Sequence, residues 1–130
     1  MSDTGSCILI VDDEPPLLRM MSMYLERKGY CVTVAGSAAK ARSELAAAPG
    51  RYDVVVLDAT LPGTTLTGFA GEILASEPAV RVLAASGYPI DMSALEVAAP
   101  GRVAFLHKPF SPEMLATVVR RLLGKEEESL

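Results

Sequence analysis

The sequence predicts an α/β fold in which five parallel strands form one doubly wound sheet with the order 2-1-3-4-5. Three observations predict it. Short apolar runs rich in β-branched residues alternate five times with longer amphipathic stretches along the 130 residues, as in successive βαβ units. Half of the residues are hydrophobic, which is enough to cover both faces of a sheet. Right-handed crossover connections then leave few topologies, this strand order among them.

The first strand is predicted over Cys7–Val11, where five consecutive apolar residues are typical of a strand covered on both faces. The helix predicted from position 15 to about 28 opens with two prolines, which suit a first turn because their missing N–H groups need no partner there. Gly29 is expected to end this helix. The second strand is predicted over Cys31–Ala35.

The second helix is predicted over Ala38–Ala48. Ser37 precedes it as an N-cap, and Pro49-Gly50 ends it. The third strand, Val54–Leu57, is the most apolar of the five. Its composition predicts the most buried position in the sheet.

The loop after the third strand, Thr60–Thr67, is rich in Thr, Gly and Pro. A third helix is predicted over about Phe69–Ser76. Pro78 separates it from the fourth strand, Val80–Ala85.

A weak fourth helix is predicted over Asp91–Ala99, and Pro100-Gly101 ends it. The fifth strand is predicted over Val103–Leu106. Pro112 then opens the last helix, Glu113–Leu123, whose apolar residues recur at helical spacing. These five units predict a flavodoxin-like (βα)5 domain over 1–130, with a core at about 7–123 between a polar N-terminal and an acidic C-terminal tail.

Composition argues against several classes of function. The formal net charge is −4, so we expect no direct contact with nucleic acid. The basic residues Arg120, Arg121 and Lys125 are expected to complement the dipole of the last helix, and Glu126–Glu128 to form a solvated tail. No apolar run approaches the roughly 18 residues of a membrane span, and the N-terminus lacks the order of a signal peptide. A cytoplasmic location without membrane contact by this domain is therefore predicted, for the chain alone or as a piece of a larger cytosolic or membrane-anchored protein.

The two cysteines, Cys7 and Cys31, have neither a CxxC partner nor a histidine at ligand spacing. A zinc site is therefore not expected. Both begin apolar strands, and the prediction is that they serve as small buried hydrophobic residues in a reducing compartment.

Polar residues follow four of the predicted strands. They are Asp12 and Asp13 after the first strand, Asp58 after the third, Ser86 after the fourth and Lys108 after the fifth. The predicted strand order makes these four strand ends neighbours, at the edge where ligands bind in such folds. Each residue alone also suits a structural role, such as a helix cap for Asp13 or a turn for Ser86-Gly87.

Together these residues suit phosphoryl transfer. Crowded carboxylates favour a divalent cation, and oxygen ligands without Cys or His select Mg2+. Lys108 offers a compact positive charge to phosphate oxygens. Asp58 is then the nucleophile that would form an acyl phosphate.

Four motifs in this order resemble the receiver domain of two-component signalling, over about Cys7 to Leu123. They are Val11-Asp12-Asp13-Glu14, Leu57-Asp58 with Pro62, Ala85-Ser86-Gly87, and Phe105-Leu106-His107-Lys108-Pro109-Phe110. The resemblance implies the following site: Asp58 as phosphoacceptor; Asp12, Asp13, Asp58 and the Thr60 backbone carbonyl as Mg2+ ligands; Ser86 and Lys108 as phosphate contacts; and Phe105 as an aromatic switch.

The resemblance also implies how the domain works. Mg2+-dependent phosphorylation of Asp58 by a histidine kinase or a histidine phosphotransfer protein would switch a partner-binding surface. The chain would be a phosphoacceptor in a phosphorelay rather than an enzyme. The motifs do not identify its output partner. The Lys108–Pro109 peptide bond would be cis. The segment Ser86-Gly87-Tyr88-Pro89 is similar to receivers attached to hybrid sensor kinases. One departure is that Gly68 follows Pro62 by six positions instead of the usual four, so a loop about two residues longer is expected.

Other readings of the sequence are weaker. A phosphatase of the haloacid dehalogenase type would need an Asp-x-Asp pair after the first strand, where Asp12-Asp13-Glu14 stands. A P-loop at Gly63–Gly68 lacks the Lys-Ser/Thr that should follow it. An FMN-binding domain would place phosphate against the aspartates after the first strand, which would repel it. The main alternative is a receiver-like interaction module that no longer takes phosphate.

Overall fold

The computed structural model describes residues 5–124, so Lys125 and the predicted acidic tail at 126–128 lie outside the described residues. Five parallel strands form one sheet with the order β2-β1-β3-β4-β5, which confirms the predicted fold class. The strands are β1 (Cys7–Val11), β2 (Cys31–Ala35), β3 (Val54–Asp58), β4 (Arg81–Ser86) and β5 (Val103–His107). The helices are α1 (Pro15–Arg27), α2 (Ala38–Ala47), α3 (Leu66–Ser76), α4 (Ser93–Ala98) and α5 (Pro112–Leu122).

Each face of the sheet has its own apolar core. In β1, Leu9 and Val11 face the core shared with α2, α3 and α4, whereas Ile8 and Ile10 face the core shared with α1 and α5. This alternation along one strand is why its sequence is apolar at every position. Among residues 5–124, no helix is both long and apolar enough to cross a membrane.

The loop between β3 and α3 is shorter than predicted. Helix α3 begins at Leu66 rather than near Phe69, because the Thr65 hydroxyl acts as its N-cap and accepts a hydrogen bond from the Gly68 N–H at 3.1 Å. Gly68 therefore lies in the first turn of the helix. The expectation of a loop about two residues longer than in the family stays a prediction. Gly63 supplies the turn before it, with a φ of 80° that favours glycine.

Helix α4 is shorter than predicted at both ends. Asp91 precedes the helix, and its carboxylate accepts hydrogen bonds from the backbone N–H of Ser93 at 3.0 Å and from the Ser93 hydroxyl at 2.6 Å. The residue that the sequence assigned to the first turn is therefore part of the turn before it.

The strand register brings the polar strand ends to one level. Val11 pairs with Leu57, and Asp58 pairs with Ala85. The Lys108 N–H, just beyond β5, donates to the Ser86 carbonyl at 2.7 Å. The carboxyl ends of β1, β3, β4 and β5 consequently surround one small area.

Candidate functional site

Three carboxylates lie together at the carboxyl ends of β1 and β3. Asp12, Asp13 and Asp58 each offer one oxygen, and these oxygens all lie within 4.8 Å of one another. Asp12 and Asp58 are 2% and 3% exposed, respectively, whereas Asp13 is exposed. The site therefore consists of two buried carboxylates and a third that is exposed to solvent.

The turn after β1 explains where Asp12 and Asp13 point. Asp12 Oδ1 accepts a hydrogen bond from the Glu14 N–H at 2.9 Å, and this turn leads directly into α1. Glu14 occupies the N-cap position of that helix and makes no side-chain cap bond. Asp12, not Asp13, thus holds the turn, and the alternative role of Asp13 as the cap of this helix is not what the structure shows.

Lys108 supplies the positive charge of the site. Its Nζ lies 2.8 Å from Asp58 Oδ1 and 3.6 Å from Asp12 Oδ2. The Lys108–Pro109 peptide bond is cis, as the sequence predicted. Burial works against the charged ammonium, but the hydrogen bond to Asp58 and the charges of Asp12 and Asp58 outweigh it, so the pKa of Lys108 is raised.

One ammonium does not balance three crowded carboxylates. Burial is the main cause that raises the pKa of Asp12 above its usual range, and the charge of Asp58 adds to it, against the hydrogen bond from Glu14 and the charge of Lys108. A nearby cation stabilises the charged form of such a buried carboxylate. The donor set consists of hard oxygens, which suits Mg2+ rather than zinc. The residues present therefore fit the cation that the sequence predicted.

The second oxygen of Asp58 has a partner that the sequence analysis missed. The Thr60 hydroxyl donates to Asp58 Oδ2 at 2.8 Å. The resemblance implies a role only for the backbone carbonyl of Thr60. The available signal was local, since a hydroxyl two residues from an aspartate commonly bonds within the same turn.

Ser86 and Phe105 are not part of the acidic cluster. Ser86 ends β4, is fully buried, and its Oγ accepts a hydrogen bond from the Tyr88 N–H at 3.1 Å. Phe105 is half-buried in β5 and packs against the core on the α4 side of the sheet. Its ring meets that of His107 edge-on, with centroids 6.4 Å apart. The structure thus joins Asp12, Asp13, Asp58, Lys108 and the Thr60 hydroxyl directly.

Comparison with known proteins finds a matching family and similar structures. The family model for the response regulator receiver domain matches residues 8–120. The chain is 31% identical over 123 residues to the sensor kinase CckA of Brucella abortus (strain 2308), covering 95% of this chain and 13% of CckA. The chain spans half or less of the length of curated relatives such as this one.

Solved structures share the fold over nearly their whole length. Chemotaxis protein CheY4 of Vibrio cholerae is 26% identical, with a TM-score of 0.78 and coverage of 92% of this chain and 99% of that one. Response regulator protein TrrA of Thermotoga maritima, crystallised in complex with Mg(2+)-BeF, is 28% identical. Its TM-score is 0.75, with coverage of 90% of this chain and 98% of TrrA.

Proposed function

This chain belongs to the response regulator receiver domain family, and from that premise we propose that Asp58 accepts a phosphoryl group in a Mg2+-dependent reaction that switches a partner-binding surface. The observation that carries the proposal is the cluster of Asp12, Asp13 and Asp58, together with Lys108, whose Nζ lies 2.8 Å from Asp58 Oδ1. On this proposal residues 1–130 act in the cytoplasm as one receiver domain. Another protein phosphorylates the chain, which is not itself a conventional enzyme.

The residues of the site divide the work of phosphoryl transfer. An oxygen of Asp58 attacks the phosphorus of the donor, the bond to the donor atom breaks, and an acyl phosphate forms. Lys108 holds the nucleophile in place and then contacts the transferred oxygens. Asp12, Asp13, Asp58 and the Thr60 carbonyl are the residues that would hold Mg2+, which supplies charge neutralisation on the phosphoryl group when bound.

Both oxygens of Asp58 are engaged before the reaction. Lys108 donates to Oδ1 and the Thr60 hydroxyl donates to Oδ2, each at 2.8 Å. One of these hydrogen bonds has to weaken when the bond to phosphorus forms. The Ser86 hydroxyl accepts a hydrogen bond from the Tyr88 N–H, and its own O–H can donate to the phosphoryl oxygens once Ser86 moves toward them.

The expected phosphodonor is a histidine kinase or a histidine phosphotransfer protein, as in the family. The relatives of this chain include the sensor kinase CckA. The similar response regulator protein TrrA was crystallised in complex with Mg(2+)-BeF. The surface proposed to respond is formed by α4, β5 and α5. Two large apolar side chains there are exposed, Val97 at 82% and Met114 at 50%, as expected of a surface that a partner covers.

Mass spectrometry after incubation with acetyl phosphate and Mg2+ tests the proposal. One phosphoryl group should be added to the chain, and Asp58→Asn should abolish most of the labelling. Asp91→Asn is the matched control, because it removes an exposed carboxylate whose hydrogen bonds within residues 5–124 are to Ser93. Full labelling of the Asp58→Asn variant would mean that another residue is the acceptor. Absence of labelling in the parent chain, with its fold intact by circular dichroism, would favour the interaction module that no longer takes phosphate.

A further inference from the structure

The amino-terminal edge of the sheet, opposite the acidic site, carries two free cysteines side by side. Cys7 begins β1, Cys31 begins β2, and the two are direct partners in the parallel register. Cα atoms of adjacent strands lie about 4.8 Å apart, within the roughly 4.4–6.8 Å that a disulfide spans. Register partners project from the same face of the sheet. Both cysteine side chains are half-buried, whereas the sequence predicted buried ones. The pair is therefore placed for a bond between the two sulfurs.

The two thiols have unequal surroundings. The Arg51 Nη2 donates to Cys31 Sγ at 3.3 Å. Hydrogen bonds from Cys7 and then from Arg51 lower the pKa of Cys31 below the usual thiol range, and the hydrogen bond to Cys31 raises that of Cys7. A cation beside one sulfur favours its thiolate, which is the reactive form.

The connection between α2 and β3 holds this arrangement in place. Asp53 Oδ2 accepts a hydrogen bond from the Cys7 N–H at 2.8 Å, and the Asp53 N–H donates to the Cys7 carbonyl at 2.7 Å. Arg51 stands two residues earlier, with its guanidinium 5.7 Å from the ring centroid of Tyr52. The segment that carries the cation is thus tied to the strand that carries one of the thiols.

We propose that Cys7 and Cys31 form an oxidisable thiol pair that closes to a reversible intramolecular disulfide in the presence of a hydroperoxide, with Cys31 reacting first. The Cys31 thiolate attacks one oxygen of the peroxide, so that an S–O bond forms, the O–O bond breaks and hydroxide or alkoxide leaves. Cys31 is then a sulfenic acid, with its sulfur oxidised by two electrons and the peroxide reduced by two.

The second step uses the neighbouring thiol. The Cys7 sulfur attacks the sulfur of Cys31, the S–S bond forms, and the hydroxyl group of the sulfenic acid leaves as water with the proton of the Cys7 thiol. An external dithiol reverses the reaction by thiol–disulfide exchange and is itself oxidised. The pair lies at the edge of the sheet away from Asp58, so neither step involves the acidic site.

Titration of the intact chain with hydrogen peroxide tests this proposal. After alkylation of free thiols, peptide mapping should show loss of both thiols together, a Cys7–Cys31 linked peptide, and recovery of both thiols with dithiothreitol. Cys7→Ser should stop at a sulfenic acid on Cys31 that dimedone traps. Cys31→Ser should leave Cys7 unmodified at the same dose. Far-UV circular dichroism establishes that each variant is folded.

Two further variants distinguish a thiol pair activated by Arg51 from two thiols that react only because they are exposed. Arg51→Met should slow the first oxidation several-fold at neutral pH, with a smaller effect at a pH where both thiols ionise. Arg42→Met, which removes an exposed arginine paired with Glu72 on another part of the surface, should leave the rate unchanged. The proposal is overturned if Cys7 and Cys31 oxidise independently of each other, or if disulfides form only between molecules. It is also overturned if Arg51→Met reacts as fast as the parent chain.

Discussion

Among single residues, Asp12 lies in surroundings that disfavour its charge. It is 2% exposed, and its pKa is raised, chiefly by burial, from an ordinary value of 3.8. A folded state with the higher pKa binds the proton more tightly than the unfolded state does. The contribution of Asp12 to stability is therefore fully present below its ordinary pKa and is lost as pH rises through the folded pKa.

The first prediction follows from that sign. In the absence of divalent cations, Asp12→Asn should raise the free energy of unfolding at pH 7 by about 1 kcal/mol. The reason is that an uncharged amide replaces a buried charged carboxylate. The amide oxygen can still accept the hydrogen bond from the Glu14 N–H. The gain should shrink as pH falls through the folded pKa and vanish below the ordinary value. Urea unfolding at several pH values measures it.

Asp91→Asn provides the opposite case. In the parent chain, hydrogen bonds from Ser93 lower the pKa of Asp91. Replacing Asp91 with Asn should therefore reduce stability at neutral pH. A loss of stability in both variants at pH 7 would mean that the Asp12 carboxylate is stabilising in the folded protein.

At the scale of elements, the start of α3 depends on a contact between a threonine and a glycine. The Thr65 hydroxyl caps the helix through the Gly68 N–H. A Cβ added at Gly68 would lie 2.7 Å from Thr65 Oγ1, which is closer than Cβ atoms approach non-bonded neighbours in proteins. The glycine is therefore explained by the cap rather than by the backbone angle.

The second prediction is a coupling between these two positions. Gly68→Ala in the parent chain should lower the free energy of unfolding by about 1 kcal/mol, because the added methyl group displaces the cap. In the Thr65→Ala background the same change should instead add roughly 0.5–1 kcal/mol, since alanine suits a helix better than glycine. Urea denaturation of the four chains measures the coupling. Thr67→Ala, an exposed threonine in the same turn, is the control, and additive effects would show that the contact is unimportant.

On the proposed function, α4 is the element that we expect to respond to phosphorylation. It has six residues, and its only fully buried side chain is Leu95, so few contacts hold it. The neighbouring Phe105 has no hydroxyl and is held by packing alone. Ser86, at the end of β4, lies between the acidic cluster and this region.

The third prediction concerns this relay. Binding of the phosphoryl mimic beryllofluoride with Mg2+ should change amide chemical shifts from Ser86 through Tyr88 and α4 to Phe105. The physical reason is that Ser86 moves to donate to the new acceptor oxygens and leaves space for the ring of Phe105. Ser86→Ala should confine the changes to the acidic cluster. Shifts that remain local in the parent chain would contradict the relay.

At the scale of the whole molecule, the fold separates two kinds of chemistry. The carboxyl edge of the sheet carries the acids and Lys108, and the amino edge carries the cysteine pair. Between them, two apolar cores cover the faces of the sheet. A ligand that neutralises the acidic edge should therefore stabilise the entire unit.

The fourth prediction is a linkage between Mg2+ and global stability. The site is open on the side of Asp13, so we expect millimolar affinity. At a tenfold excess over the dissociation constant, the free energy of unfolding should rise by about 1.4 kcal/mol. Asp13→Asn should remove most of this gain, whereas Asp91→Asn should retain it. Thermal unfolding with Mg2+, using an equal ionic strength of sodium chloride as the reference, separates specific binding from screening. An equal response in the Asp13→Asn variant would show that the ligand set is wrong.

The sequence by itself determined the fold class, the order of the strands and the edge at which the polar residues meet. It could do so because these features follow from local patterns: apolar runs for buried strands, helical spacing for amphipathic helices, and the polar residue that ends each strand. The placement of Asp12, Asp13, Asp58 and Lys108 in one cluster follows once the strand order is known.

Only the tertiary structure decided which atoms meet. The Thr60 hydroxyl on Asp58, the Ser86 hydroxyl on the Tyr88 N–H and the start of α3 at Leu66 depend on rotamers and caps that a pattern of residue types does not specify. The pairing of Cys7 with Cys31 depends on register between strands that are separated by a helix. Register is set by packing of whole strand faces against the helices. The physical reason is that local sequence selects an element, whereas distances between elements arise from the burial of many side chains at once.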